Sequence, residues 1–285
     1  MLLRRTNERN IKQMKFTKIS LRPDDESVYM DAYLPEPHKE IAIKSRRAII
    51  VFPGGGYRFC SGRESDPVAR KFLGEGFSVF VLYYSLCEKA REPRQLVDAS
   101  MAVEHVRKNA EEYGVDPDKI FVCGFSAGGH LAASIGTLWH TDYAKTSPDM
   151  PYGINRPNGM ILCYPVINTV KYLENSNEKG KIEYGDPDTD VGALTSQLDL
   201  QVKSGLTPPA YIWTTFEDTL VPPENSIHFA LAMQKEKIPY ELHVYKHGWH
   251  GLSLCTPEVD RSGKAQLFAD VATWADEAAA WAKDL

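Results

Sequence analysis

The chain has 285 residues, 43% of them hydrophobic, and a formal net charge of −5. It is long enough to bury a substantial core, and its acidic balance excludes whole-chain attraction to nucleic acid. No apolar run reaches the roughly 18 residues of a membrane span, and Leu2-Leu3 is far too short for the apolar core of a targeting peptide.

The basic residues between Arg4 and Lys18 read as a solvated leader. The five cysteines are odd in number and include no C-x-x-C pair. Cys123 and Cys163 fall in apolar runs and read as small core residues. A reducing cytoplasm is the simplest compartment for such a chain.

Residues 15–21 and 27–34 alternate apolar with polar, as two half-buried antiparallel strands would. Residues 47–52 are apolar from Ala48 onward, the pattern of an interior parallel strand, and Pro53-Gly54-Gly55-Gly56 stops them. A helix near 65–74 and a buried strand over 78–83 follow. Residues 93–113 read as one helix, with Leu96, Ala99, Val103, Val106, Ala110 and Tyr113 on one stripe. Strand 119–123 runs into Gly124-Phe125-Ser126-Ala127-Gly128 and a second helix. Strand 160–164 comes next. Residues 166–207 are polar and read as a small cap-like insertion with short helices. Strand 210–216, a helix near 223–236, strand 240–245 and a terminal helix over 262–283 complete the chain. The alternation predicts one α/β domain over 1–285, with a mostly parallel sheet of about eight strands covered on both faces.

In such a sheet, reactive groups gather beyond the carboxyl ends of the strands. The motif G-x-S-x-G between a strand and a helix is a nucleophile elbow, with Ser126 at its apex. Gly124 and Gly128 spare the tight turn from side-chain clashes. Asp218 follows the strand at 210–216, and His250 follows the strand at 240–245. A serine hydroxyl needs a base to take its proton, so His250 is the candidate base and Asp218 the acid that orients it. Glu217 and Asp188 are rival acids; Asp218 is preferred because it lies one step further past a strand end. The N–H groups of Ala127, Gly55 and Gly56 are candidate oxyanion donors. Tyr57 and Arg58, next to the glycine loop, are candidate substrate contacts.

Other readings weigh less. The triple glycine lacks the Gly-Lys-Ser/Thr of a phosphate loop. His243, His247 and His250 share no helical face, so no metal site is expected. His130 reads as a structural hydrogen-bonding residue, and His105 as a residue on the solvent side of its helix.

The segments Phe-Pro-Gly-Gly-Gly-Tyr at 52–57, Gly-Phe-Ser-Ala-Gly-Gly-His-Leu-Ala at 124–132, Phe-Glu-Asp-Thr-Leu-Val-Pro at 216–222 and Gly-Trp-His-Gly-Leu at 248–252 resemble the esterase branch of the α/β-hydrolase fold. The likeness runs from about residue 27 to the end. It is greatest to small acetyl esterases related to acetylxylan and feruloyl esterases, with hormone-sensitive-lipase-like enzymes as cousins. Those cousins begin the glycine loop with histidine, where this chain has Pro53. The resemblance implies Ser126, Asp218 and His250 as the triad and Ala127, Gly55 and Gly56 as the oxyanion donors. It implies no cofactor and a small-molecule substrate, a short-chain ester of a sugar or oligosaccharide, and it allows a homodimer. A serine peptidase on the same fold, or a silent ligand-binding relative, remains the alternative.

Overall fold

The computed structural model describes residues 14–90, 93–172, 188–261 and 268–285. Its strands are β1 (Met14–Ser20), β2 (Tyr29–Pro35), β3 (Arg46–Phe52), β4 (Ser78–Tyr83), β5 (Val115–Phe125), β6 (Gly159–Cys163), β7 (Ala210–Thr215) and β8 (Tyr240–Tyr245). They form one sheet in the order β1-β2-β4-β3-β5-β6-β7-β8. The β1–β2 and β2–β4 pairs are antiparallel and the remaining pairs are parallel.

The helices are α1 (Asp66–Gly74), α2 (Arg94–Lys108), α3 (Ala110–Tyr113), α4 (Ala127–Leu138), α5 (Thr169–Tyr172), α6 (Asp190–Thr195), α7 (Glu224–Lys235) and α8 (Trp274–Asp284). The sheet separates two cores. Ile50, Phe52, Phe80 and Val122 belong to one, together with residues of α2, α4 and α7. Ile49, Val51, Phe121 and Phe125 belong to the other, together with residues of α1 and α8. Successive side chains of a strand point to opposite faces, so a strand buried on both sides must be apolar throughout. Each fully buried Phe or Leu contributes about 2 kcal/mol.

Three expectations need correction. β1 is an outer strand, and its burial stops at Thr17 and Ile19, leaving Phe16 54% exposed. The helix expected over 93–113 breaks at Asn109, whose Nδ2 donates to the carbonyl of His105 at 2.8 Å. That side-chain bond competes with the helical ladder. All six residues of the apolar stripe are nevertheless buried. The terminal helix begins only at Trp274. Before it, the Phe268 N–H is drawn to Cys255 Sγ at 3.4 Å, and its ring packs edge-on against Trp249. Residues 262–267 of that expected helix lie outside the described residues.

The expected insertion over 166–207 also lies partly outside them, at 173–187. Its described portions are tied inward. Thr169 N–H donates to the Ser196 carbonyl at 2.9 Å and Leu198 N–H to the Ile167 carbonyl at 3.0 Å. The Asn225 side-chain oxygen accepts from Ile167 and Asn168 N–H at 2.9 and 3.1 Å. Among the described residues, no helix is long and apolar enough to cross a membrane.

Candidate active site

Four strand ends deliver the site. β3 ends in the glycine loop, β5 in Ser126, β7 in Asp218 and β8 in the loop that carries His250. These four strands run parallel, so their carboxyl ends meet at one edge of the sheet.

Ser126 has φ 53° and ψ −113°, a conformation costly for a residue with a Cβ. Backbone bonds hold it there. Its N–H donates to the Cys163 carbonyl at 3.0 Å, and its carbonyl accepts from Val166 at 3.2 Å and from His130 at 2.9 Å. The turn closes so tightly that a Cβ on Gly128 would lie 2.0 Å from the Phe52 carbonyl oxygen. Only glycine fits at that approach. Gly54 packs beside the serine; a Cβ there would lie 3.2 Å from Ser126 Cβ. Gly55 has φ +136°, and a Cβ on it would collide with the Phe59 carbonyl oxygen at 1.9 Å. Ala127 is the first residue of α4, where a backbone N–H has no intrahelical acceptor.

His250 Nε2 lies 2.8 Å from Ser126 Oγ. His250 Nδ1 lies 2.7 Å from Asp218 Oδ2. The other carboxylate oxygen, Oδ1, accepts from the N–H groups of Leu220 at 3.0 Å and Val221 at 2.9 Å. Asp218 is 3% exposed. This arrangement leaves one oxygen free to receive a proton-bearing Nδ1, which turns Nε2 into an acceptor for the serine hydroxyl. The rival acids lie elsewhere. Glu217 is exposed and accepts from His247 Nδ1 at 2.9 Å and Gly248 N–H at 3.0 Å. The His247 bond holds the Glu217 carboxyl below the usual range. Asp188 is exposed.

The candidate metal histidines separate. His250 faces Asp218, His247 faces Glu217, and His243 stacks on Tyr211 within reach of Glu241 and Glu277. No cluster of three metal-ligating side chains occurs among the described residues.

Tyr57 does not line open space. It is 2% exposed at φ 56°, and its hydroxyl meets His130 Nδ1 at 2.8 Å. The positive φ turns the ring inward, a feature that composition cannot reveal. Arg58 is exposed. A cavity of about 320 Å³ opens instead beside His250, lined among others by Arg63, Trp249, Leu252, Thr256, Val259 and Arg261. His105 is half-buried, with Nε2 2.9 Å from the Tyr113 hydroxyl, and not on an open helix face.

His130 ties Tyr57 to α6 through Nε2 and the Thr195 carbonyl at 3.0 Å. Burial pushes its imidazole down to about 4. The unfolded chain takes that proton near pH 6.5. Between those two values acid therefore favours the unfolded chain. Stability should fall by about 3 kcal/mol as pH drops from 6.5 to 4. Chemical denaturation at stepped pH measures this slope, and His130→Gln should flatten it. A slope unchanged in that variant would place the acid sensitivity elsewhere.

Two residues at the centre of this region, Glu64 and Tyr164, carry no motif that sequence reasoning could single out. Both are buried, and Tyr164 Oη donates to Glu64 Oε1 at 2.7 Å.

A family model described as BD-FAE matches residues 30–233. Among curated proteins, the chain is 38% identical over 217 residues to endo-1,4-beta-xylanase B of Butyrivibrio fibrisolvens, covering 75% of this chain and 33% of that protein. It is 34% identical over 239 residues to the acetylxylan esterase of Xylanibacter ruminicola, covering 82% and 45% respectively. It thus spans between a third and a half of the length of these curated relatives. Among solved structures, the acetyl ester-xyloside bifunctional hydrolase from Caldicellulosiruptor lactoaceticus is 32% identical with a TM-score of 0.77, over 94% of this chain and 96% of that one. The alpha/beta hydrolase MGS-M1 from a deep-sea metagenome library is 33% identical with a TM-score of 0.76, over 95% and 98%.

Proposed function

This chain belongs to the BD-FAE family and has the α/β-hydrolase fold, and on that premise we propose that it is a serine carboxylic-ester hydrolase for short acyl groups, acetyl above all, carried on sugars or oligosaccharides. The observation that carries this reading is the unbroken pair of hydrogen bonds from Ser126 Oγ through His250 to Asp218, at 2.8 and 2.7 Å.

The reaction follows from that pair. His250 Nε2 takes the Ser126 proton as Oγ adds to the ester carbonyl. The oxyanion is met by N–H groups of Ala127, Gly55 and Gly56, each worth about 3 kcal/mol at such a centre. The imidazolium, held by Asp218, gives its proton to the departing alcohol. Water then enters, loses a proton to His250 and splits the acyl-enzyme, releasing the acid and restoring Ser126.

In this reading the alcohol occupies the cavity beside His250, next to its proton donor. Trp249, 50% exposed on its wall, offers a flat apolar face to the C–H groups of a sugar ring. The names of the xylan-active and acetyl-ester-active relatives support the same substrate class.

Two assays test it. The p-nitrophenyl esters from acetate to octanoate should show kcat/KM highest at acetate and lower by at least about tenfold at octanoate. Acetylated xylo-oligosaccharides should release acetate. Inactivity on every ester would sink the proposal, and a preference for octanoate would move the substrate away from acetyl groups.

A further inference from the structure

Glu64 lies in the turn before α1, 4% exposed, with no substrate-facing role in the chemistry above. Its two carboxylate oxygens point to different halves of the site. Oε2 accepts the N–H of Gly54 at 2.8 Å, at the start of the glycine loop beside Ser126. Oε1 accepts from Tyr164 Oη at 2.7 Å. Tyr164 Oη in turn accepts the N–H of Ser253 at 2.9 Å, three residues beyond His250. The Tyr164 ring stands edge-on to the His250 imidazole, with centroids 5.1 Å apart. The link closes on itself, because Ser253 Oγ donates to the carbonyl of Arg63 at 2.6 Å.

We propose that Glu64 is a positioning residue that holds the glycine loop and the histidine loop in register through one buried carboxylate. This rests on the ester-hydrolase reading of the site.

Donors and acceptors decide the residue type. Gly54 offers an N–H. Tyr164 must offer its proton, because its oxygen is already occupied by Ser253. Two donors converging from different directions need a side chain with two acceptors and no donor, which is an ionised carboxylate. Burying one is expensive, and a mere space-filler would be apolar. Burial holds the Glu64 carboxyl above the usual range, and Tyr164, the Gly54 N–H, His250 and Arg63 offset part of that rise. Those two basic side chains, with the acids Cys60, Cys163 and Tyr164, are the titratable groups that act on it or that it acts on. Its negative charge also sits near the ring that becomes an imidazolium during the reaction.

The test is the pH profile of p-nitrophenyl acetate hydrolysis by wild type, Glu64→Gln and Tyr164→Phe. Folded sites are counted with a fluorophosphonate label, so that rates refer to competent enzyme. Glutamine keeps the volume but presents a donor where Tyr164 already donates. Its kcat should fall about tenfold with KM within about twofold. Its acid limb should move to lower pH, since the carboxylate that had to stay ionised is gone. Tyr164→Phe should move the acid limb the other way, because Glu64 loses a hydrogen bond that favours its charged form. That second variant carries the test if Glu64→Gln does not fold. A role in packing alone predicts fewer labelled sites with an unshifted profile, and that result would overturn the inference. Wild-type turnover alongside an unchanged Glu64→Gln profile overturns only this inference. A wild type without turnover overturns the ester-hydrolase reading and this inference with it.

Discussion

Ser126→Ala is expected to lower kcat on p-nitrophenyl acetate by roughly 10⁶-fold. Alanine lacks the oxygen that forms the acyl-enzyme, so the two-step path is lost outright. The residue's φ of 53° is set by backbone bonds to Cys163, Val166 and His130, none of which uses the side chain. The variant should therefore fold, which thermal melting checks. Intact-protein mass spectrometry should show a fluorophosphonate adduct on wild type and none on the variant. Equal turnover by the two proteins would remove Ser126 from the reaction.

The second large effect separates neighbouring acids. Asp218→Asn should lower kcat by about 10⁴-fold. An asparagine oxygen can still accept from the Leu220 and Val221 N–H groups. Its amide then faces His250 Nδ1 as a donor. That fixes the proton on Nε2, which can no longer accept from Ser126. Glu217→Gln should change kcat by less than about threefold, since Glu217 contacts His247 and the Gly248 backbone but not His250. Steady-state rates on one ester decide the matter. The reverse ranking would move the acid to Glu217.

The strand–helix alternation was readable because strands buried on both faces leave continuous apolar runs, as at 48–52 and 79–83. The places of Ser126, Asp218 and His250 at the sheet edge were readable because each lies in the turn or loop that follows a strand. Glu64 was not. Its partners are 10 and 100 residues away, and an Arg-Glu pair between a loop and a helix has the look of any solvated turn. Tyr164 was hidden for the same reason. Tyr57 was misplaced because backbone geometry, not residue type, decides which way a loop side chain turns. The break at Asn109 depends on one side chain bonding to a carbonyl four residues back, which hydrophobic spacing does not register.

The cavity beside His250 is walled largely by residues of the 249–261 loop, whereas the proton path runs through residues at strand ends. The two are joined at His250 and are otherwise distinct parts of the chain. Substitutions at Trp249, Thr256 or Arg261 can therefore accumulate and be selected without disturbing the bond-breaking apparatus. Such a division makes the chain evolvable. New preferences can arise by drift in a loop, one tolerated change at a time, while the inherited chemistry continues to operate.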